Sequence, residues 1–392
     1  MSRMKQRRGW TSGSRLQLSR LSLAFLIAAA FTIPAAPAQT FTVLHTFTGG
    51  KDGASPVAGL ISDGKGNLYG TTPGGTALGN VFKLDLAGKE TVLHAFAGSP
   101  DGASPSAALL RDAKGNLYGT TLTGGMFNRG TVFKVTHTGR ELVLHSFTGQ
   151  KDGGFPAAAL IQDQAGNFYG TTSNGGRHNV GTVFRLRQSG RMEVIYSFKG
   201  GVDGATPVSA VVRDADGNLY GTADTGGDSG CDCGVVFRID QHGKETVMHT
   251  FRGPDGSRPQ GGLVLDARGN LYGTTTAGGA SNAGTVFKVD QHGRETVLHS
   301  FAAMEGVEPS STLVRDTQGN LYGTASDGGP SDTGTIFKLD KTGSFMVLHD
   351  FNGTKDGYFL LAGLFRDAEG NLFGAAQLGG KFGFGTVFEL AP

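Results

Sequence analysis

Cysteine and tryptophan are nearly missing from this 392-residue sequence, which contains two of the first and one of the second. Two cysteines alone supply too few ligands to complete a structural zinc site. The one tryptophan, Trp10, lies in an N-terminal segment that we expect to be removed, so the remaining chain would lack the aromatic side chain best suited to stacking on sugars or cations. This composition excludes a cysteine-only metal centre and weakens the case for a glycan site.

Helical patterns and long apolar runs are also scarce. After residue 38 no segment combines apolar residues at helical spacing with a capping residue, so we expect almost no helix there. The one extended apolar run, residues 21–33, follows a basic segment and precedes Ala36-Pro37-Ala38, a small-residue cleavage pattern. We predict that residues 1–38 are a signal peptide cleaved near Ala38. The rest would then be secreted or periplasmic, without a membrane span.

An excess of basic charge is lacking once that segment is removed. The sequence has 35 Lys and Arg against 33 Asp and Glu, and six of the basic residues but none of the acidic ones lie within residues 1–38. Removal leaves 29 against 33, a formal net charge of −4. No basic patch favours a nucleic acid partner. We expect a monomer.

Glycine, by contrast, is abundant at 66 residues, and it recurs in register with apolar residues. The motif GNLYGTT at residues 66–72 returns six times in close copies, spaced by 49 to 52 residues. The copies begin at Gly115, Gly166, Gly217, Gly269, Gly319 and Gly370. A fixed period of about fifty residues indicates a repeat architecture.

Each repeat contains four segments with the composition of short strands. In the second unit they are residues 105–112, 115–121, 130–135 and 141–147, bounded by Gly, Asp or Asn. Asp-x-x-Gly turns join several of them, and we expect those aspartates to form turns rather than bind ligands. Seven units of four antiparallel strands predict an all-β, seven-bladed propeller. An open β-solenoid is the alternative, but it would need distinctive capping repeats.

The two ends of the repeat region are complementary. Residues 385–390 have the pattern of a third strand with no fourth strand after it, whereas residues 41–47 have the fourth-strand pattern and precede the first full unit. We predict that these segments pair and close the ring, which would remove the exposed sheet edges of an open array.

A histidine recurs at one position of the fourth predicted strand, and Tyr196 replaces it in one unit. The histidines are His45, His94, His145, His249, His299 and His349. Neighbouring blades pack roughly 10 Å apart, so these residues cannot share one ion. We expect them to pack between blades, with one ring nitrogen bonded to the backbone.

An acidic residue precedes glycine in several of the connections between units. These residues are Asp52, Asp152, Asp203, Asp255 and Glu305. Turn formation explains them best, and calcium binding is the alternative. We predict no catalytic residue, no metal and no cofactor.

Cys231 and Cys233 lie in one loop of the fourth unit, residues 226–234. An exported protein favours oxidation, so we predict a disulfide that stiffens this loop. Free or intermolecular thiols, or a redox or metal role, are the alternatives.

Candidate ligand contacts lie where the repeat varies. Because strand direction alternates, the Gly-Gly loops after the second strands and the crossovers between units should emerge on one face, where rigidly held loops can bind a ligand. The predicted contact residues are Phe127, Arg129, Arg177, His178, Asp228, Asp232, Asn282, Asp332, Lys381 and Phe382. The alternative is that these loop tips vary because nothing constrains them.

In the second unit, GNLYGTT is followed by a Gly-Gly loop and then by Gly-Thr-Val-Phe-Lys and Val-Leu-His-Ser-Phe. This succession of segments resembles the Gloeobacter/Verrucomicrobium (GloVer) tandem repeat of exported bacterial proteins, often described as choice-of-anchor proteins. The resemblance covers residues 41–390; it implies a secreted repeat protein and supplies no catalytic residues. Many relatives end in an anchoring tail, whereas this sequence ends at Ala391-Pro392 directly after its last predicted strand, which argues against surface attachment. The seventh unit also departs from the repeat, with Phe373 for tyrosine, Ala375-Ala376 for threonines and Leu360 for proline.

These observations predict a secreted binding or scaffold module with a protein or polysaccharide ligand. The alternative is a secreted carbohydrate-active enzyme, a glycan lyase or hydrolase. Its candidate acid and base groups, Asp232, His178 and Glu308, lie in different units, and nothing in their spacing brings them together.

Overall fold

Seven four-stranded antiparallel sheets make up residues 39–392, the part of the chain that the computed structural model describes. They are the blades of a propeller, as the repeat predicted, and are numbered here in chain order. The described residues include no α-helix, and their two 3₁₀ helices, Gly201–Asp203 and Ala303–Glu305, are each a single turn. None of their helices is long and apolar enough to cross a membrane. The predicted signal peptide, residues 1–38, lies outside the described residues.

Strands follow one another outwards from the axis in each blade. The first strands are Ile61–Ser62, Leu110–Arg111, Ile161–Gln162, Val212–Arg213, Val264–Leu265, Val314–Arg315 and Phe365–Arg366. The second strands are Leu68–Thr72, Leu117–Thr121, Phe168–Thr172, Leu219–Ala223, Leu271–Thr275, Leu321–Ala325 and Leu372–Ala376. The third strands are Asn80–Leu84, Thr131–Val135, Thr182–Leu186, Val235–Ile239, Thr285–Val289, Thr335–Leu339 and Thr386–Ala391.

The fourth strands form the rim of the propeller. They are Glu90–Ala95, Glu141–Ser146, Met192–Ser197, Glu245–Thr250, Glu295–Ser300 and Phe345–Asp350 in blades 1 to 6, and Thr40–Thr46 in blade 7. A separate two-stranded sheet pairs Gly102–Ala103 with Thr123–Gly124.

The predicted closure of the ring is confirmed. Thr40–Thr46 pairs antiparallel with Thr386–Ala391, with Phe41 opposite Leu390 and one irregularity in register between Val43 and His45. The N-terminal strand therefore completes the C-terminal blade, and the ring has no open edge at this point.

The first strands are shorter than predicted. Of residues 105–112, only Leu110–Arg111 pair as a strand. The segments that precede the seven first strands instead converge on an axial channel of about 150 Å³. A Cβ added to Gly59 would lie 3.2 Å from the carbonyl oxygen of Gly363. The axial segments thus approach one another closely, and Pro105 has no N–H group with which to extend the ladder at its position.

One aromatic contact joins neighbouring blades at all seven interfaces. A phenylalanine just beyond the fourth strand of one blade meets, edge to face, a phenylalanine in the third strand of the next, with ring centroids 5.0 to 5.4 Å apart. The pairs are Phe47–Phe82, Phe96–Phe133, Phe147–Phe184, Phe198–Phe237, Phe251–Phe287, Phe301–Phe337 and Phe351–Phe388. All fourteen rings are at most 1% exposed. Burial stabilises by about 2–3 kcal/mol per ring, and the geometry adds about 0.5–1.5 kcal/mol per pair.

The same rings explain the second glycine of the GNLYGTT motif. A Cβ added to Gly170 would lie 2.6 Å from Cζ of Phe184 and 3.0 Å from Cδ2 of Leu160. The corresponding distance to the blade's own phenylalanine is 2.5 to 2.7 Å in all seven blades. This glycine is required because a ring lies directly over its backbone.

The Asp-x-x-Gly aspartates form turns, as predicted. In blade 3, Asp163 accepts hydrogen bonds from the Asn167 backbone and side-chain amides, both at 2.9 Å, and from the Tyr169 hydroxyl at 2.9 Å. Burial opposes ionisation of Asp163, but these hydrogen bonds outweigh it and lower the pKa of the carboxyl. The asparagine and tyrosine of GNLYGTT thus serve the turn.

The first threonine of the motif connects blades. The Thr171 hydroxyl donates to the Ser209 carbonyl in the axial segment of blade 4, at 3.0 Å. Blades 1, 2, 4, 5 and 6 make the equivalent bond. Blade 7 has Ala375 at this position, so its interface with blade 1 lacks that side-chain bond.

Deleting residues 41–47 should open the ring. The deletion removes most of the strand that pairs with Thr386–Ala391, together with two buried or half-buried phenylalanines, Phe41 and Phe47. Thermal unfolding followed by circular dichroism should show a sharply lower Tm. The bared edge should also increase aggregation. An unchanged melt would contradict the closure.

Gly170→Ala should destabilise the protein by about 1–3 kcal/mol, because the added methyl overpacks the Phe184 ring. Gly74→Ala is the matched control. Gly74 also lacks a positive φ, and its nearest neighbour would be the Ala54 Cβ at an ordinary 3.5 Å. Denaturant unfolding of both variants tests the assignment, which requires Gly170→Ala to be clearly the less stable of the two.

Candidate functional site

The Gly-Gly loops and the crossovers are held together, and we call the surface they form the variable-loop face. Each crossover pairs with the Gly-Gly loop of the blade that it enters, as Gly154 does with Asn174. Equivalent backbone pairs occur in all seven blades. The variable sequences are thus displayed on one hydrogen-bonded framework.

One residue of every crossover has a left-handed backbone, with φ between 54° and 59°. These residues are Ser55, Ser104, Phe155, Thr206, Arg258, Glu308 and Phe359. The Phe155 N–H donates to the Arg129 carbonyl of the preceding blade at 2.9 Å, while its carbonyl accepts from the Ser173 N–H of its own blade at 3.3 Å. Such a conformation costs about 1–2 kcal/mol in a residue other than glycine. Its bonds across the blade interface offset that cost, and its side chain stays free to vary.

Two predicted contact residues have side chains that are committed to their own loops. The Asp232 carboxylate accepts from the Gly226 N–H at 2.5 Å, and the Asn282 side-chain oxygen accepts from the Gly278 N–H at 2.9 Å. Both residues are left-handed, and Asp332 has the same conformation in blade 6. Loop formation therefore accounts for Asp232 and Asn282 without any ligand.

The loop of blade 4 also contains an ion pair and the two cysteines. The Asp228 carboxylate lies 3.4 Å from Arg252 Nε, but both side chains are more than a third exposed, so the pair adds little stability. Cys231 and Cys233 are joined as a disulfide within this loop.

Arg177 and His178 border a rim cleft of about 510 Å³ in blade 3. Lys151, Lys199 and Tyr196 also line this cleft. Arg177 and His178 thus lie beside two further basic residues that were not predicted as contacts. Lys151 lies on the crossover, and Lys199 lies beyond the fourth strand.

The described residues include four exposed phenylalanines, and all four lie on the variable-loop face: Phe127, Phe359, Phe382 and Phe384. The last three belong to blade 7, where Lys381 Nζ lies 5.1 Å from the centre of the Phe382 ring. Arg129 in blade 2 is placed similarly, with its guanidinium 5.0 Å from the centre of the Phe155 ring.

The enzyme candidates are not brought together. His178 lies in blade 3 and Asp232 in blade 4, while Glu308 lies in the crossover into blade 6. Within residues 39–392, no hydrogen bond or ion pair joins any two of them. Glu308 uses its backbone to connect blades and leaves its carboxylate exposed.

The histidines of the fourth strands, at the rim, have a carboxylate partner that was not predicted from the sequence. His94 Nε2 lies 3.1 Å from an oxygen of Asp101, the acidic residue of the crossover that follows it. Four further histidines lie 2.9 to 3.1 Å from the equivalent carboxylate, and His45 lies 3.8 Å from that of Asp52. Tyr196 donates its hydroxyl to Asp203 instead. The histidine or tyrosine and its acidic partner are always six or seven residues apart, and this regular spacing is the signal that could have revealed the pairing.

At four interfaces the next blade brings a glutamate towards this pair. The glutamates are Glu90, Glu141, Glu245 and Glu295. Burial, followed by the charge of the nearby crossover aspartate, raises the pKa of Glu295 to about 7. Phe345 and Phe41 occupy the equivalent position at two other interfaces. They stack on His299 and His349, with ring centroids 3.9 and 3.8 Å apart respectively. Met192 occupies it at the remaining one.

Solved structures share the architecture at low sequence identity. A protein of B. thetaiotaomicron, described as the extracellular domain of a candidate hybrid two-component system, is 13% identical with a TM-score of 0.59. The match covers 89% of this chain and 39% of that one, so this chain spans about two fifths of its length. A candidate 6-phosphogluconolactonase from Bacteroides uniformis is 16% identical with a TM-score of 0.50, over 83% of this chain and 90% of that one. These likenesses concern the fold.

Sequence comparison identifies the repeat itself. No curated protein matches the chain. The family model described as the Gloeobacter/Verrucomicrobia repeat matches residues 27–232 and again residues 209–392, which together span the whole propeller. The chain therefore belongs to the Gloeobacter/Verrucomicrobia repeat family.

Proposed function

We propose that this protein is an exported binding module whose ligand, a protein or a polysaccharide, contacts the variable-loop face. The observation that carries the proposal is the concentration of exposed phenylalanine on that face, above all in blade 7. The predicted signal peptide and the similarity to a domain described as extracellular support export.

The exposed aromatic residues of blade 7 lie on two loops. Phe382 and Phe384 are 47% and 43% exposed in the Gly-Gly loop, and Phe359 is 40% exposed in the crossover. Exposed apolar groups of this kind mark interaction surfaces, and large aromatic side chains dominate binding energy at protein interfaces. Since the chain after residue 38 lacks tryptophan, a protein ligand fits this surface better than a polysaccharide.

The loops that carry these side chains are preorganised. Tyr358 in the crossover pairs with Leu378 in the Gly-Gly loop, and Phe384 packs over Gly49 of the next crossover. A loop that is already ordered loses less conformational entropy when it binds a partner. Blade 7 is also the unit that departs most from the repeat. Its loops therefore present side chains that differ from those of the other blades, as a site for a specific ligand requires.

A carbohydrate-active enzyme is the alternative. It would need an acid and a base within reach of one bound sugar, and the candidates Asp232, His178 and Glu308 lie in separate blades or crossovers. The similarity to a candidate lactonase concerns fold and does not supply such a pair.

Grafting the blade 5 loop onto blade 7 tests the proposal. The variant Lys381→Ala, Phe382→Ser, Gly383→Asn, Phe384→Ala copies residues 280–283, where Asn282 already adopts the required left-handed backbone. Ligands are first selected with the unaltered protein on arrays of bacterial polysaccharides and surface proteins. Affinity for a selected ligand should fall at least about tenfold in the graft, since each lost aromatic anchor removes on the order of 2 kcal/mol.

The control graft replaces residues 330–333 of blade 6 with the same four residues and should lower affinity far less than the blade 7 graft, because this loop has no exposed phenylalanine. Melting curves of both grafts separate lost binding from lost folding. Affinity that survives the blade 7 graft, and grafts of the other Gly-Gly loops, would reject the variable-loop face as the binding site.

A further inference from the structure

Two of the seven blade interfaces bring together three side chains that could bind one metal ion. The first consists of His94, Asp101 and Glu141, and the second of His249, Asp255 and Glu295. In each set the histidine comes from the fourth strand of one blade, the aspartate from the following crossover, and the glutamate from the fourth strand of the next blade. One ligand atom from each residue lies within 4.8 Å of the other two.

One oxygen of each glutamate in these clusters lacks a hydrogen-bond partner. Oε1 of Glu141 and Oε1 of Glu295 are both buried and accept no hydrogen bond. Each glutamate also faces a second carboxylate, that of Asp101 or Asp255. Two carboxylates held together with an unbonded buried oxygen are unfavourable unless a proton or a cation lies between them. No lysine or arginine forms an ion pair with either glutamate among the described residues.

We propose that each of these two clusters binds a divalent transition-metal ion, best matched by Zn²⁺, through one imidazole nitrogen and two carboxylate oxygens. Zinc accepts this donor set with bonds of about 2.0–2.2 Å, so small side-chain rotations close the cluster around it. The histidine and aspartate side chains are 17% to 23% exposed, which leaves room for water to complete the coordination. The ion links two blades at the rim, through one crossover carboxylate and two fourth-strand side chains, and has no assigned catalytic role.

The other interfaces explain why only two sites are expected. At the blade 2–3 interface, Met192 replaces the glutamate beside His145 and Asp152. At the blade 7–1 interface, His45 and Asp52 are 3.8 Å apart and do not form such a cluster with Glu90. Tyrosine or stacked phenylalanine occupies one ligand position at each of the remaining three. The sequence alone did not indicate these clusters, because their ligands come from neighbouring units.

Zinc titration of the whole protein, purified without a histidine tag and treated with a chelator, tests the proposal. Calorimetry and elemental analysis should give two Zn²⁺ per chain, and Co²⁺ should produce visible absorption bands that Zn²⁺ abolishes. Glu141→Gln and Glu295→Gln should each remove one ion, and the double variant should bind none. Glu90→Gln, the matched control, should still bind two.

A gain of binding provides the sharper test. Met192→Glu completes the third cluster with His145 and Asp152 and should raise the stoichiometry to three. His94→Gln and His249→Gln provide a second pair of losses if a glutamate variant fails to fold, which circular dichroism without zinc will show. No zinc binding by the unaltered protein, full binding by the double variant, or no third ion in a folded Met192→Glu protein would overturn the proposal.

Discussion

The edge-to-face contact between two phenylalanines, repeated at every blade interface, is the interaction on which this architecture depends. A single blade is a small twisted sheet that cannot bury its own faces, so each needs its neighbours. The phenylalanine beyond one fourth strand fills the space above the third strand of the next blade. The glycine of GNLYGTT makes room for the ring, and the following threonine adds an inter-blade hydrogen bond in six blades. Four positions of the repeat therefore serve one blade interface.

Much of the fold could be predicted because it is determined within a unit. Strand order, turn chemistry and ring closure all followed from a period of about fifty residues and from the complementary ends of the repeat region. The first strands were predicted too long because their real environment is the crowded axis. Nothing in residues 105–112 reveals that seven such segments meet around one channel.

The rim clusters show the same limit. His94 and Asp101 are close in sequence, and their pairing could have been recognised from its regular spacing. Glu141 comes from the next blade, and its approach depends on the angle between blades, which a single unit does not encode. On the variable-loop face, sequence variation located the surface correctly as a loop surface. It did not separate side chains that hold their own loop, such as Asp232, from those that face solvent, such as Phe382.

The pairing of Thr40 with Ala391 has a mechanical consequence. The two strands run antiparallel, so the chain that precedes residue 40 and the chain that follows residue 391 leave the ring at the same point. A pulling force applied to both would load the hydrogen bonds of this strand pair one at a time rather than all together. The interface beside it also lacks the threonine bond, because blade 7 has Ala375. Under tension the ring would therefore unzip at this seam at low force, whereas a load carried across the blades would meet all seven aromatic contacts.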